Sequence, residues 1–539
     1  MTVTLTTLTQ LPGIARVPVD RMDRPYPRRW AALGVLCLSL LIVVMANTAL
    51  IVAAPDMTRD LMLTSADLQW VIDGYTVPYA ALMLLFGVIG DKYSRRGALL
   101  TGLLVFGAGA VFGSLADSTT TVVAARIVMG VGAAIIMPAT LSLLVATFPA
   151  TERSRAVAAW AATSGLAIAL GPLLAGWLLD SRSWHSTFLI NVPIAAVAAV
   201  GALALVPPSK AHGLGRIDWL GGLLSVVTIG AGVFAIIDGF HFGWGARSLV
   251  AAVVSAVGLV AFVRWELRHP QPLLNVRRLA DRAVGGASLA VLLVFLAAFG
   301  AMFFLAQHLQ FVLGFGALDT GVRLLPLAAA VTVGAGVSAR LASRVGLRVI
   351  VASGMLVAAA GVLMLVRVDA ASGYLDVLPT LVLLGLGVGL SVSPATDAIM
   401  GSFPENDLGA AGGLNDTAIE LGGSLGIAIL GSVLAATYKD GIAGFLATLP
   451  VPTLAGPQAD LLAQGLQASG ESVGGAAIVA QELANNPLGK SWAQPLMEAA
   501  TSAFADAIVR AGLVGGLALA AGAVVVAAIL PRRATTGQD

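Results

Sequence analysis

The sequence predicts an all-α membrane protein, and three observations carry that prediction. Hydrophobic residues fill 58% of the 539 positions and charged ones only 11%, with a mean hydropathy of +0.91. A soluble chain of this length would divide into several domains with far more surface charge. Apolar runs of about 20 residues, the length that crosses a bilayer, recur from Trp30 to Leu530. Lysine and arginine gather in alternate connections between these runs, as they do in loops that stay on the cytoplasmic side. Net charge, at +2, says little by itself.

Residues 1–29 read as a basic tail, with Arg16, Arg21, Arg24, Arg28 and Arg29. The first run, Ala32 to Ala54, is too long for a signal-peptide core and lacks a cleavage site, so it reads as a permanent anchor. It holds the only cysteine, Cys37, so no intramolecular disulfide can form. Runs two to six follow at Trp70–Ile89, Ala98–Ala116, Val122–Phe148, Ala156–Leu179 and Thr187–Val206. Lys92, Arg95 and Arg96 connect runs two and three, and Arg153 and Arg155 connect four and five. After run six come Lys210 and Arg216, then Ile217–Ile237 and the shorter Ser248–Val263, then Arg264, Arg268, Arg277, Arg278 and Arg282.

The last six runs are Val284–Leu309, Gly321–Leu341, Leu347–Leu365, Leu378–Met400, Leu408–Ala436 and Ala511–Leu530, which makes fourteen. Arg340, Arg344 and Arg348 join the second and third of these, and Arg532 and Arg533 follow the last. The remaining loops hold scattered basic residues such as Arg59, Arg182, Arg247 and Arg367. Both termini are therefore expected in the cytoplasm, which requires an even number of spans. Trp30, Trp70, Trp177, Trp184, Trp219, Trp244 and Trp265 lie at or near run ends, as an interfacial aromatic belt should. Residues 437–510 interrupt the rhythm as a mildly acidic extracytoplasmic loop. Gln494–Ile508 has the pattern of an amphipathic helix, and a disordered linker is the alternative.

The connection Gly87–Leu100 reads GVIGDKYSRRGALL. Gly87 and Gly90 leave room for close helix approach, while Asp91 can pair with basic groups, Arg95 and Arg96 among them, and latch one conformational state. A plain juxtamembrane basic cluster is the alternative. ARLASRVGLR, Ala339–Arg348, aligns on it as a second copy, with Ser343 opposite Asp91 and Gly346 opposite Ser94. Eight spans separate the copies where two equal six-span halves would give six, so spans seven and eight read as an insertion. These strings resemble the signature loop of the major facilitator superfamily, departing at Ser94 from a customary glycine.

Further strings resemble that superfamily's fourteen-helix drug:proton antiporter branch, of the quaternary-ammonium and multidrug exporter type. AARIVMGVGAAIIMP places Arg126 inside an apolar helix, followed by Gly130, Gly132 and Pro138; the resemblance implies a role for Arg126 in proton coupling or in bonding to backbone. Gly165, Gly171, Pro172 and Gly176 resemble the branch's antiporter motif, with glycines for tight packing and a proline bend. WHSTFLINVPI, Trp184–Ile194, agrees. The main departure is MANTALIVAAP, Met45–Pro55, where Ala46 stands in the place of the branch's usual aspartate and its neighbour Asn47 can hydrogen-bond but carry no proton. The chain either couples through other acids or is an altered form of a parent with that aspartate.

Four acids lie within predicted spans: Asp73, Asp397, Asp416 and Glu420. A charge at the bilayer centre costs about 2.5–3.5 kcal/mol by insertion scales, so such residues normally face a protein interior or watery cavity. Asp416 and Glu420 are four residues apart and share a helix face. Two carboxylates so placed cannot both stay charged cheaply, which suits exchange of protons for a cation. The resemblance implies substrate and proton roles for both; helix capping is the alternative for Asp416. Asp73, beside Trp70 and Tyr75, combines charge with aromatic faces that suit a lipophilic cation, the alternative being an interfacial aspartate reached by water. Asp397, near the cytoplasmic end of span twelve, is either a structural cap or a coupling site.

No phosphate-binding glycine loop and no clustered metal ligands occur, so neither an ATP-driven pump nor a metal site is expected. The expected driving force is the proton gradient, whose electrical part is worth about 2.3 kcal/mol per charge per 100 mV, with no cofactor. The expected architecture is the major facilitator fold. Residues 30–206 form one six-helix bundle and 283–530 the other, with two inserted helices in 207–282 and a cytoplasmic tail at 531–539. The expected function is export of amphipathic, cationic drugs or dyes from a bacterial cell across its plasma membrane, by a monomeric non-enzyme with no nucleic-acid partner. Export of a native lipid or metabolite, or a non-transporting sensor, are the competing readings.

Overall fold

The computed structural model describes residue 18 and residues 25–61, 65–179, 181–211, 216–270, 272–404, 407–448, 465–485 and 490–531. Among them the ordered elements are helical. In order they are α1 Arg29–Leu61, α2 Ser65–Tyr93, α3 Arg95–Ser114, α4 Thr119–Thr147, α5 Ala150–Leu179, α6 His185–Leu189, α7 Asn191–Leu205, α8 Trp219–Phe242 and α9 Ala246–Glu266. Then come α10 Arg282–Gln307, α11 Ala317–Val345, α12 Leu347–Leu363, α13 Tyr374–Gly401, α14 Leu408–Leu446, α15 Val473–Asn485 and α16 Lys490–Ile529. Thirteen helical segments among the described residues are long and apolar enough to cross a membrane, α6 and α7 together making one of them. α5, 30 residues long, has a shorter apolar stretch at Leu170–Leu179 and packs as a full-length neighbour of α1 and α11.

Helix contacts fall into two sets. α1 packs on α5 and α7, and α4 on α2 and α3; α13 packs on α11, α12 and α10, and α16 on α14 and α12. Between the sets, α2 and α4 meet α14, and α5 meets α11 and α13. The inserted hairpin α8–α9 leans through α8 on α2 and α14. Its outer helix exposes Leu249, Val253, Val257 and Val260, as a lipid-facing helix should.

Local chemistry sets several helix ends. The Ser118 hydroxyl accepts the Thr121 amide in a capping box that starts α4, and the Ser94 hydroxyl accepts the Gly97 amide to start α3. Gly346, at φ 85°, takes a backbone conformation that side chains disfavour and turns α11 directly into α12. The two copies of the signature string thus make the same helix–turn–helix. In the first, Arg96 donates to the Val206 carbonyl at the end of α7 (3.2 Å); in the second, Arg348 donates to the Leu530 carbonyl just after α16 (2.7 Å). The last helix of each set is pinned to the same arginine of each repeat.

The 437–510 region differs from the linker alternative. α14 runs on to Leu446, residues 465–471 are helical, α15 follows, and α16 starts at Lys490, so Gln494–Ile508 is the outer part of the final helix. Burial explains this order. Tyr438 is 1% exposed and donates to the Ser469 carbonyl at 2.9 Å, while Leu496, Ala500, Phe504 and Ile508 form one buried face. The residues just before α1 and at its start dock as well: the Tyr26 hydroxyl donates to the Leu205 carbonyl, and Arg29 holds both carboxylate oxygens of Glu152 at 2.7 and 2.8 Å. Burial pushes the Tyr26 phenol above its ordinary range.

Candidate functional site

Two constellations lie where α2 meets α14. The first is at the end carrying the basic connections. Gly87 and Gly409 touch backbone to backbone: a Cβ on Gly87 would stand 2.8 Å from the Gly409 carbonyl carbon and closer to its oxygen. Beside them Asp91, 1% exposed, pairs with Arg95 at 2.5 Å and accepts the Gly409 amide at the start of α14. Arg95, 3% exposed, also donates to the Ser209 hydroxyl at 3.0 Å, which ties the loop to the segment after α7. Gly90 lies against Ala98, 3.1 Å from the position a Cβ would take. Of the residues singled out in this string, Gly87 and Asp91 cross to the other helix set, Arg95 braces Asp91, and Gly90 and Arg96 pack within their own set.

The second constellation lies deeper. Arg126 is fully buried; its Nε donates to the Val71 carbonyl (3.1 Å), one Nη to the Asn47 carboxamide oxygen (3.0 Å), and its guanidinium sits 4.2 Å over the Tyr75 ring. Tyr75, 1% exposed, donates to the Val43 carbonyl and lies 5.5 Å from the Tyr79 ring, centroid to centroid. The Tyr79 hydroxyl faces the Glu420 carboxylate of α14. Glu420 is half-buried, whereas Asp416, one turn earlier, is 1% exposed. Asp416 accepts from Asn415 at 3.1 Å, and its other oxygen has no hydrogen-bond partner among the described residues. Asn415 in turn accepts from Thr396 at 2.9 Å. A polar chain thus runs from α1 through Arg126 and two neighbouring tyrosines, their rings tilted by 38°, to a pair of carboxylates on the opposite set.

One turn before the acids, Gly413 lies against Leu84 of α2 and Gly412 against Pro138 of α4, so this face of α14 is turned toward the first helix set. Tyr79 and Asn415 were not singled out in the sequence, although Tyr79 is one turn from Tyr75 and Asn415 adjoins Asp416; each would have been found by following a chosen residue along its helix face.

The other sequence candidates are dispersed. Asp397 accepts from Ser154 at 2.7 Å, a contact between α13 and α5 separate from the α14 acids. Trp70, 42% exposed, packs on Phe234 of the inserted hairpin at 5.8 Å. The Asp73 side chain and the surroundings of Gly165 lie outside the described residues. Gly171 is buried where α5 crosses α1, 2.9 Å from the Met45 carbonyl oxygen by its would-be Cβ and next to Thr48; Gly176 is buried and Pro172 half-buried on the same helix. The antiporter-like string therefore packs one residue away from Ala46. Gly130 meets the Tyr75 carbonyl, and Gly132 lies 2.6 Å from the Phe106 amide by its would-be Cβ, so these glycines seat α4 between α2 and α3.

Residues 36–427 match the Major Facilitator Superfamily. The chain is 33% identical over 501 residues to the multidrug efflux pump LfrA of Mycolicibacterium smegmatis, covering 93% of this chain and 96% of that one. It is 35% identical to the puromycin resistance protein pur8 of Streptomyces alboniger, covering 78% and 85%. With the methyl viologen resistance protein SmvA of Salmonella typhimurium it shares 30% identity, covering 88% and 93%. Among solved structures, a bacterial homologue of the human lysosomal transporter Spinster superposes with a TM-score of 0.57 at 17% identity, covering 94% of this chain and 98% of that one. The repeated helix–turn–helix, the two sets of helices and these matches agree: the chain belongs to the Major Facilitator Superfamily of multi-pass membrane transporters.

Proposed function

We propose that this protein exports amphipathic, cationic drugs or dyes across the bacterial plasma membrane in exchange for protons, as a member of the fourteen-helix antiporter branch. The observation that carries this reading is the pair Asp416 and Glu420, held between the two helix sets with Tyr79 against one carboxylate and an unbonded oxygen on the other. Such a pair suits alternate occupancy by protons and by a cation, with the aromatic faces of Tyr75 and Tyr79 beside it. The printed names of the relatives, multidrug efflux, puromycin resistance and methyl viologen resistance, support a drug cargo.

In this reading residues 30–206 and 283–530 are the two rocking bundles, and 207–282 the inserted pair. The end bearing Arg95, Arg155 and Arg340, together with both termini, is cytoplasmic. Asp91, Arg95, Gly87 and Gly409 form the latch of the state closed at that end, and the Ser154–Asp397 bond reinforces it. Arg126 holds Asn47 and Tyr75 in place for the coupling acids. The transporter works as a monomer and takes its energy from the proton gradient without a cofactor.

The test is ethidium efflux from proteoliposomes with and without an imposed pH gradient. The gradient should accelerate efflux in the parent and leave a Glu420→Gln variant unaffected. Efflux that ignores the gradient in the parent would overturn antiport.

A further inference from the structure

The seams between the two helix sets are related by the internal repeat. α2 and α14 meet across one, α11 and α5 across the other, and Ala339 occupies in the second copy the place of Gly87 in the first. At the basic end the first seam is closed by Gly87 against Gly409. The second has a close glycine contact at its other end, where Gly321 approaches the Leu173 amide to 3.0 Å by its would-be Cβ. At the level of Ala339 it holds a cavity of about 230 Å³ instead, lined by Arg155, Ala158 and Ala162 on α5 and by Thr332, Gly336 and Arg340 on α11.

We propose that this crevice binds an anionic phospholipid of the adjacent leaflet, its phosphate between Arg155 and Arg340 and the upper part of one acyl chain along the alanine and glycine walls. Three features lead to this occupant. Arg155 and Arg340 are both exposed at the crevice mouth. The acid closest along α5, Glu152, is already engaged through both oxygens by Arg29, and α11 carries no acid after Asp319. Two guanidiniums so placed attract a phosphate and repel a cationic cargo.

The wall is continuous with an exposed apolar stripe: Val333 and Val337, 57% and 42% exposed, flank Thr332 and Gly336 on α11. The lining on α11 runs from Thr332 to Arg340, eight steps or about 12 Å of helix at 1.5 Å per residue, so in this proposal the crevice descends from the headgroup level into the acyl region. Its volume is below the roughly 300–1,000 Å³ of pockets that enclose drug-sized molecules. It fits part of a chain, with the rest of the lipid left in the bilayer. The inference stands independently of the cargo and of proton coupling.

The test uses the full-length protein in nanodiscs of equal dioleoyl phosphatidylglycerol and dioleoyl phosphatidylcholine, gently extracted and weighed by native mass spectrometry. Phosphatidylglycerol should be retained over phosphatidylcholine. Arg155→Gln/Arg340→Gln should reduce that retention by roughly tenfold or more, while Arg264→Gln/Arg268→Gln, two exposed arginines of the inserted hairpin region, should not. Ala159→Phe, which fills the crevice and leaves both charges, should also reduce it. The glutamine pair alters no packed residue, so it decides the matter even where the phenylalanine variant fails to fold. Equal retention of both lipids, or retention unchanged in the glutamine pair, would overturn the proposal. So would full displacement of the lipid by excess inorganic phosphate, because that would mark a simple anion site with no acyl component.

Discussion

Gly409→Ala tests the contact on which the closed basic end depends. An added Cβ would lie 2.5 Å from the Gly87 carbonyl carbon, 2.8 Å from an Asp91 carboxylate oxygen, and nearer still to the Gly87 carbonyl oxygen. Carbon contacts are optimal at about 3.5–4.0 Å, so the two helices must part by about 1 Å. Backbone lies on both sides and neither has a flexible end to swing away. A gap of that size forfeits about a quarter to a half of the dispersion at the contact, and overpacking of this kind costs about 1–3 kcal/mol. Because the strain exists only while α2 and α14 touch, it is removed when this end opens. The population closed here should fall by roughly 5- to 150-fold relative to the open one. Spin labels at Tyr93→Cys and Arg344→Cys, both exposed at this end on opposite helix sets, would report the separation in a Cys37→Ser background. The distance distribution should shift to longer values. A distribution identical to the parent's, in a variant of equal thermal stability, would refute the argument.

Asp91→Asn removes the charge that holds Arg95 and the Gly409 amide; losing one partner of a buried pair costs about 3–5 kcal/mol. The same label pair should lengthen, and the melting temperature in detergent should fall; an unchanged melting curve would show that the pair carries no weight. Tyr79→Phe removes the hydroxyl beside the Glu420 carboxylate, a contact of ordinary hydrogen-bond size, about 0.5–1.5 kcal/mol. Gradient-driven ethidium efflux should drop by roughly tenfold while expression and melting stay near the parent's, and full activity would remove Tyr79 from the site. In Arg126→Lys the compact ammonium cannot span the Val71 carbonyl, the Asn47 carboxamide and the Tyr75 ring together. Efflux should fall by about tenfold or more, and activity equal to the parent's would reduce Arg126 to a packing residue.

Hydrophobic run length and basic-loop alternation made the membrane helices legible, because both follow from solvation and need no partner. The repeat was legible too, and the structure adds what a string cannot: Arg96 and Arg348 reach equivalent carbonyls at Val206 and Leu530. Helix lengths were not. α14 and α16 run to 39 and 40 residues because their outer parts bury against each other and against residues 465–485, a tertiary effect invisible in hydropathy. At the site, Asp416, Glu420 and Arg126 stood out by being expensive in an apolar run. Tyr79 and Asn415 did not, since a tyrosine or asparagine costs little there, and their roles follow from which helix faces which. The contact of the Trp70 ring with Phe234 of the inserted hairpin was equally invisible, because it depends on where that hairpin leans.

The two constellations share the same pair of helices, and that has a mechanical consequence. Along α14, Gly409 precedes Asp416 by two turns and Glu420 by three, about 10 and 16 Å at 1.5 Å per residue. Along α2, Tyr79 precedes Gly87 by about 12 Å and Asp91 by about 18 Å. α2 and α14 therefore meet along a continuous seam, with Tyr79 beside Glu420 at depth, Leu84 against Gly413 in between, and the Gly87–Gly409 contact with Asp91 at the basic end. In the proposed antiport, a proton or a cation arriving at Glu420 changes what α14 presents to Tyr79 of α2, and the same two helices carry the Gly87–Gly409 contact. In that proposal chemistry at the acids reaches the latch through rigid helix.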